Sequence, residues 1–256
     1  MAIIIAIASQ KGGVGKTTTA VNLSAYLAEA GKKTLLIDMD AQCNASSGLG
    51  IRPEKAACTA YQLFIDEQPI EKMILPTPME NLYAVPSDIN LSGAEIELAA
   101  KLSREYVLKK MLRPVLEQYD YILFDCPPSF GLITLNALTA AHYVLVPLQC
   151  EYYALEGLSR LQHIVELIQE NTNPSLYIGG ILCTQYDART KLSLQVLDEI
   201  RTFFPQIVYE TLIPRNIRIS EAPSYGLPIN LYDPRSKGAE AYQKLAREVI
   251  ARDEKK

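Results

Sequence analysis

The sequence predicts an α/β fold, doubly wound, with a mostly parallel sheet and helices on both faces, and three observations predict it. Short apolar runs rich in β-branched residues alternate with segments of helical period. The runs are almost continuously apolar, as strands of a parallel sheet covered on both faces must be. A glycine-rich turn, Gly12 to Gly15, separates the first run from the first helical segment. With 256 residues, 48% of them apolar and 21% charged, the chain can bury a sizeable core. The sequence shows no Gly/Ser-rich linker, internal repeat or low-complexity stretch, so residues 1–256 are expected to form a single domain.

The first strand is predicted over Ile3 to Ala8. A helix follows from about Lys16 to Ala30, with Ala20, Leu23 and Leu27 on one side, and Gly31 stands where a glycine ends a helix. The strand Thr34 to Ile37 completes a βαβ unit. Val107, Leu108, Met111, Leu112 and Val115 mark a helix before the strand Tyr121 to Phe124. After the strand Tyr143 to Val146, Leu155, Leu158, Leu161, Val165 and Ile168 mark another. Further strands are expected at Tyr177 to Cys183 and near Val208, with a closing helix from about Gly238 to Ala251.

Charge is uneven although the net value is only −4: residues 186–256 carry 12 basic and 10 acidic side chains, residues 1–185 carry 13 and 19. The five cysteines, Cys43, Cys58, Cys126, Cys150 and Cys183, form no C-x-x-C pair and read as buried free thiols, not as a disulfide framework or metal site. His142 and His163 fall on helix-like segments and read as packing or surface residues. No apolar run approaches the roughly 20 residues of a membrane span, and no leader pattern opens the chain, so a cytoplasmic location is expected.

Strand, glycine-rich turn and helix together make Lys11-Gly12-Gly13-Val14-Gly15-Lys16-Thr17-Thr18 a phosphate-binding loop (P-loop). Glycines let successive N–H groups converge on phosphate oxygens at a helix N-terminus. Lys16 is expected along the β and γ phosphates of ATP, with the Thr17 hydroxyl in the Mg²⁺ shell. A general P-loop would have glycine where this chain has Gln10, and Lys11 is an additional lysine. It offers charge to a developing γ-phosphate oxygen; the plain alternative is a solvated loop lysine. Asp38, Asp40 and Asp125 close strands on the sheet edge where ligands bind. Asp125, followed by Pro127-Pro128 and so unsuited to capping a helix, reads as the acidic residue holding a Mg²⁺ water.

The K-G-G-V-G-K-T-T form resembles the deviant Walker A loop of the ParA/MinD group. That resemblance implies that Lys11 reaches across a dimer interface to the partner's nucleotide, so the site is complete only in a dimer. It also implies that Asp40 orients the attacking water while Asp38 supports the metal shell. Ala41 stands where family members usually have proline, which puts the stiffness of that loop in doubt. Gly93-Ala94-Glu95-Ile96-Glu97-Leu98, Asp125-Cys126-Pro127-Pro128-Ser129, Gln149-Cys150-Glu151-Tyr152-Tyr153-Ala154-Leu155-Glu156-Gly157 and the run Ile213 to Ser224 resemble the Soj type of ParA partition ATPase.

What this resemblance implies is a cycle. ATP drives a homodimer, the dimer binds double-stranded DNA without sequence preference on the nucleoid, and a ParB/Spo0J-like centromere-binding protein stimulates hydrolysis and release. By the same resemblance Pro214, Asn216 and Thr184 lie at the adenine pocket, and Arg189 and Arg218 contact DNA, with Lys237, Lys244 and Arg247 as additions. The plain alternative for the two arginines is surface pairing with Asp187 or Glu221. Three rivals are set against this reading. A MinD-like membrane cycler would need bulky apolar anchors at the end, where Arg252-Asp253-Glu254-Lys255-Lys256 stands. A relative of the nitrogenase iron protein would need a cysteine pattern these five do not carry, and a small-molecule ligase would need a substrate pocket not visible in sequence.

Overall fold

The computed structural model describes residues 1–151 and 154–255, so Tyr152, Tyr153 and Lys256 of the segments above lie outside the described residues. In chain order the elements are β1 (Ile3–Ile7), α1 (Lys16–Glu29), β2 (Thr34–Asp38), α2 (Asn44–Gly48), α3 (Ala60–Phe64), β3 (Leu75–Pro76), β4 (Leu82–Val85), α4 (Leu91–Ala99) and α5 (Val107–Leu112). They continue as β5 (Tyr121–Asp125), α6 (Leu132–Ala140), β6 (Tyr143–Gln149), α7 (Ala154–Asn171), β7 (Tyr177–Thr184), α8 (Lys191–Phe203), α9 (Ile217–Glu221), α10 (Ile229–Tyr232) and α11 (Lys237–Asp253).

The strands form one seven-stranded sheet in the order β3-β4-β2-β5-β1-β6-β7. Every pairing is parallel except β3 with β4, the antiparallel outer edge. Because side chains alternate along a strand, β1 sends Ile4 and Ala6 into one core and Ile5 and Ile7 into a second. The first core is closed by α3 to α8, the second by α1, α2 and α9 to α11. This is the predicted architecture, with both faces covered. It brings the C-terminal ends of β1, β2, β5 and β7 to one edge.

The predicted elements recur with small shifts, and Gly31 does leave α1 with a left-handed φ of 80°. The exception is the strand near Val208, which reduces to a single bridge, Ile181 with Val208. Beyond it the backbone N–H groups of Glu210 and Thr211 donate to the Glu248 carboxylate at 2.9 and 3.1 Å instead of to a neighbouring strand. His142 is not helical: it lies between α6 and β6, and its Nδ1 accepts the Ile4 N–H at 2.9 Å. Burial lowers its pKa, in keeping with a neutral acceptor nitrogen. His163 is exposed on α7. All five cysteines are free, but only Cys126, Cys150 and Cys183 are buried; Cys43 and Cys58 are half-buried.

Candidate functional site

From the end of β1 the chain curls through Ser9 to Gly15 before α1 begins at Lys16. Gly13 and Gly15 hold φ of 74° and 87°, a region that costs a residue bearing a β-carbon roughly 1–2 kcal/mol. Two side chains at the end of β7 pin the loop: Thr184 Oγ1 donates to the Val14 carbonyl at 2.7 Å and Gln185 Nε2 to the Gly13 carbonyl at 2.8 Å. No side chain caps α1, so its first amides are left for an anion. A β-carbon on Gly12 or Gly13 would meet nothing within 4 Å, so the space over the loop is open.

Lys16 is 7% exposed, and its Nζ donates to the Lys11 carbonyl at 3.3 Å. Burial lowers its pKa, and the carboxylates of Asp125 and Asp40 work against that shift. Asp38 and Asp125 are register partners at the ends of β2 and β5. Asp38 is fully used: Oδ2 accepts from Ser46 N at 2.8 Å and Ser46 Oγ at 2.6 Å, and Oδ1 from Asp40 N at 3.2 Å. Asp125 is different. It is 0% exposed, and no donor meets either carboxylate oxygen in full hydrogen-bond geometry, although the Thr17 hydroxyl lies close enough to act on it. Burial and the nearby Asp38 hold its pKa well above the usual carboxylate range, against the weaker pull of the Thr17 hydroxyl and Lys16.

Bare, buried carboxylate oxygens are costly unless something answers them. A hydrated Mg²⁺ fits, because it keeps several waters and takes the rest of its shell from phosphates and one or two side chains. Among the described residues no group of three or more His, Cys, Asp or Glu could cage a metal by itself, so the open, water-rich arrangement is the one the donors allow. Thr17 and Asp125 are the residues able to hold it; Asp38, already satisfied by Ser46, braces the loop that carries Asp40. That loop has no proline at Ala41, but Asp40 Oδ1 accepts the Gln42 N–H at 3.0 Å and its carbonyl the Cys43 N–H at 2.9 Å. These turn bonds supply the stiffness a proline would otherwise give.

Beside the loop lies a cavity of about 350 Å³ lined by Gly15, Thr18, Thr184, Pro214, Asn216 and Tyr242, among others. The three adenine-pocket candidates therefore come together. Two are already engaged, Thr184 by Val14 and Asn216 as the cap of α9, its Oδ1 accepting the Ile219 N–H at 3.3 Å. Lys11 is exposed, and its Nζ pairs with the Glu151 carboxylate. Gln185, Ser46 and Glu151 were missed in the sequence. Each is a single polar residue in a loop or short helix, with no spacing signal to mark it.

The basic candidates occupy the β7–α8 loop, α9 and α11. Arg189 grips Asp187 with Nε and Nη2 at 2.9 and 2.7 Å. Arg218 pairs with Glu221 at 2.9 Å and Asp233 at 3.4 Å. The surface pairing set against the DNA role is thus present in both. Lys237, Lys244 and Arg247 are exposed on α11, where spacings of seven and three place them along one stripe. Ile219 of α9 packs on Gly238 and Arg218 reaches Asp233, so α9 adjoins the start of α11. Arg215, exposed and close enough to lower the Asp187 pKa, was not singled out in the sequence.

A family model described as an AAA domain matches residues 2–178. The sporulation initiation inhibitor protein Soj of Bacillus subtilis is 55% identical over 251 residues, covering 98% of this chain and 99% of its own length. The chromosome partitioning protein ParA of Myxococcus xanthus is 52% identical over 250 residues, covering 98% and 88%. Among solved structures, cobyrinic acid a,c-diamide synthase of Mycobacterium smegmatis, with bound ATP analogue and magnesium, superposes with a TM-score of 0.87 at 35% identity, covering 99% and 96%. A P-loop with an added lysine, its acidic strand ends and more than half of all residues shared over nearly the full length converge on one answer: the chain belongs to the ParA/Soj family of chromosome-partitioning ATPases.

Proposed function

We propose that this chain, as one domain, hydrolyses ATP with Mg²⁺ and uses the nucleotide to switch a DNA-binding homodimer on and off. The observation that carries the nucleotide site is the bare, buried carboxylate of Asp125 beside Lys16 and Thr17 at an uncapped helix N-terminus. Mg²⁺, when bound, neutralises phosphate charge. The amides of Gly12 to Thr18 and the Lys16 ammonium hold the phosphates, Thr17 and Asp125 hold the metal and its waters, and Asp38 keeps the Asp40 loop in place. Asp40 orients the water, and Lys11 contributes charge at the γ-phosphate of the partner's nucleotide. Lys11 must first leave Glu151, an exposed ion pair worth only about 0–1 kcal/mol. Thr184, Pro214 and Asn216 line the adenine pocket.

The DNA reading rests on five exposed basic side chains, Arg189, Arg218, Lys237, Lys244 and Arg247. Phosphates replace Asp187, Glu221 and Asp233 as partners of the arginines, an exchange of exposed pairs with little net cost. A dimer doubles the number of phosphates met. A ParB/Spo0J-like partner would stimulate hydrolysis and release, and the protein would be cytoplasmic and associated with the nucleoid. No helix among the described residues is long and apolar enough to cross a membrane.

Fluorescence anisotropy of a random-sequence duplex, titrated with the protein and Mg²⁺ under ATP, ADP or no nucleotide at two salt concentrations, tests the cycle. Tight, salt-sensitive binding with ATP alone is expected. Equal or absent binding in all three conditions would refute the DNA switch.

A further inference from the structure

We propose that Gln185 is a positioning residue for nucleotide binding: a one-residue bulge beyond β7 turns its amide onto the phosphate-binding loop, where it holds the Gly13–Val14 peptide so that the Val14 N–H faces the phosphates. The inference rests on the reading of Lys11 to Thr18 as that loop.

The bulge is read from the bonds to the neighbouring segment at Ile213 and Pro214. Ile213 N donates to the Cys183 carbonyl, and the Ile213 carbonyl accepts from Tyr186 N, both at 2.9 Å. In a regular parallel ladder the two bonds of one residue reach partners two positions apart. Here they reach Cys183 and Tyr186, three positions apart, so this strand carries one residue more than its neighbour. Pairing resumes beyond it, where Tyr186 bridges Pro214. Gln185 takes up the extra length with a left-handed φ of 50°, a conformation disfavoured for a residue with a β-carbon and visited more readily by Asn and Asp than by Gln.

The strained backbone changes where the side chain faces. Along β7 the side chains alternate, with Ile181 and Cys183 in the first core and Leu182 in the second. Continued, the alternation would send Thr184 and Gln185 to opposite faces. Instead both meet one loop, Thr184 Oγ1 at the Val14 carbonyl and Gln185 Nε2 at the Gly13 carbonyl. A trans peptide sets its C=O and N–H in opposite directions. Holding the two carbonyls toward β7 therefore turns the N–H groups of Val14 and Gly15 away from it. Among the described residues neither N–H is spent on a backbone acceptor. Successive amides turned to one side make an anion-binding concavity. Thr184 sets the Gly15 amide in it, and Gln185 sets that of Val14.

Calorimetric titration of the full chain with ADP and Mg²⁺, at a temperature where every variant is folded, tests this role. Gln185→Met, of similar length but with no N–H to give, should bind about fivefold more weakly, the worth of one net hydrogen bond. Competition by inorganic pyrophosphate, which carries no base, should weaken by the same factor. Gln185→Ala and Gln185→Gly separate aim from stability. Both lack the amide, so both should bind as weakly as Gln185→Met. Glycine relieves the left-handed backbone, so Gln185→Gly should have the higher urea midpoint of the two. A merely structural role would return affinity together with that stability. Wild-type ADP affinity in Gln185→Met, pyrophosphate affinity left unchanged, or affinity restored by glycine overturns the proposal. Lys16→Ala runs beside them. Undiminished ADP binding there removes the phosphate-loop reading itself, whereas a Lys16→Ala that binds no ADP beside a Gln185→Met of wild-type affinity removes Gln185 alone.

Discussion

Lys16 and Asp38 show at the level of one side chain how the site trades stability for ligand binding. The Lys16 ammonium is buried against its own preference, and in the proposed site anionic phosphates would make that burial favourable. Lys16→Ala is expected to abolish ATP binding by calorimetry, and undiminished binding would contradict its assignment to the phosphates. Burial raises the Asp38 pKa from 3.8 to about 6. The folded chain then holds this proton more readily than the unfolded chain, so stability falls as pH rises from about 4 to 6 and stays lower above. Asp38→Asn removes that titration. In urea denaturation without Mg²⁺ or nucleotide, it loses the hydrogen bonds of one oxygen at every pH, but its stability relative to wild type should rise by up to roughly 3 kcal/mol between pH 4 and pH 7. A gap independent of pH would show that the Asp38 charge carries no penalty. Lys16 and the glycines were legible in the sequence because a P-loop fixes residue type at each place. Glu151 and Gln185 were not, because their roles arise only when β6 and β7 end beside the loop.

Among the elements, length helped but did not decide legibility: the six-residue α5 was readable from its apolar spacing, while the 13-residue α8 was not read. The 14-residue α1, the 18-residue α7 and the 17-residue α11 show a helical period long enough to read. The five-residue α2 and α3 and the four-residue β4 do not, and they went unpredicted, as did α4, α6 and α8. The apolar run near Val208 misled in the other direction, because its continuation is claimed by a side chain. Glu248 of α11 accepts from Glu210 N, Thr211 N and Arg252 Nη2, and so ties the last helix to the segment that leads to Pro214 and the cavity. Glu248→Gln keeps one acceptor oxygen and sets an amide N–H₂ against a backbone donor. It should cost about 1–2 kcal/mol in urea denaturation. Unchanged stability would mean that this segment is held by packing alone.

For the whole molecule the proposed DNA switch raises the question of how a chain of net charge −4 would bind a polyanion. Net charge governs approach at long range, but beyond roughly 10 Å at 0.1 M salt that field is screened, and local clustering decides the contact. Arg189 and Arg218 lie on the β7–α8 loop and α9, and Lys237, Lys244 and Arg247 along an exposed stripe of α11; these are the positive charges the proposed switch would use. In the proposed switch the counterions they release would set the salt dependence of binding, and a dimer would contribute each residue twice. Arg218→Ala should therefore reduce the slope of log K against log salt by about 2, close to 0.9 for each of two phosphates lost. The ATP-dependent dimer itself should persist, as read by light scattering. An unchanged slope with weakened dimers would place Arg218 in the assembly of the protein and not in its grip on DNA. The two ion pairs that now occupy Arg218 would then be structural braces between α9 and the Asp233 turn, and the DNA surface would lie elsewhere on the dimer.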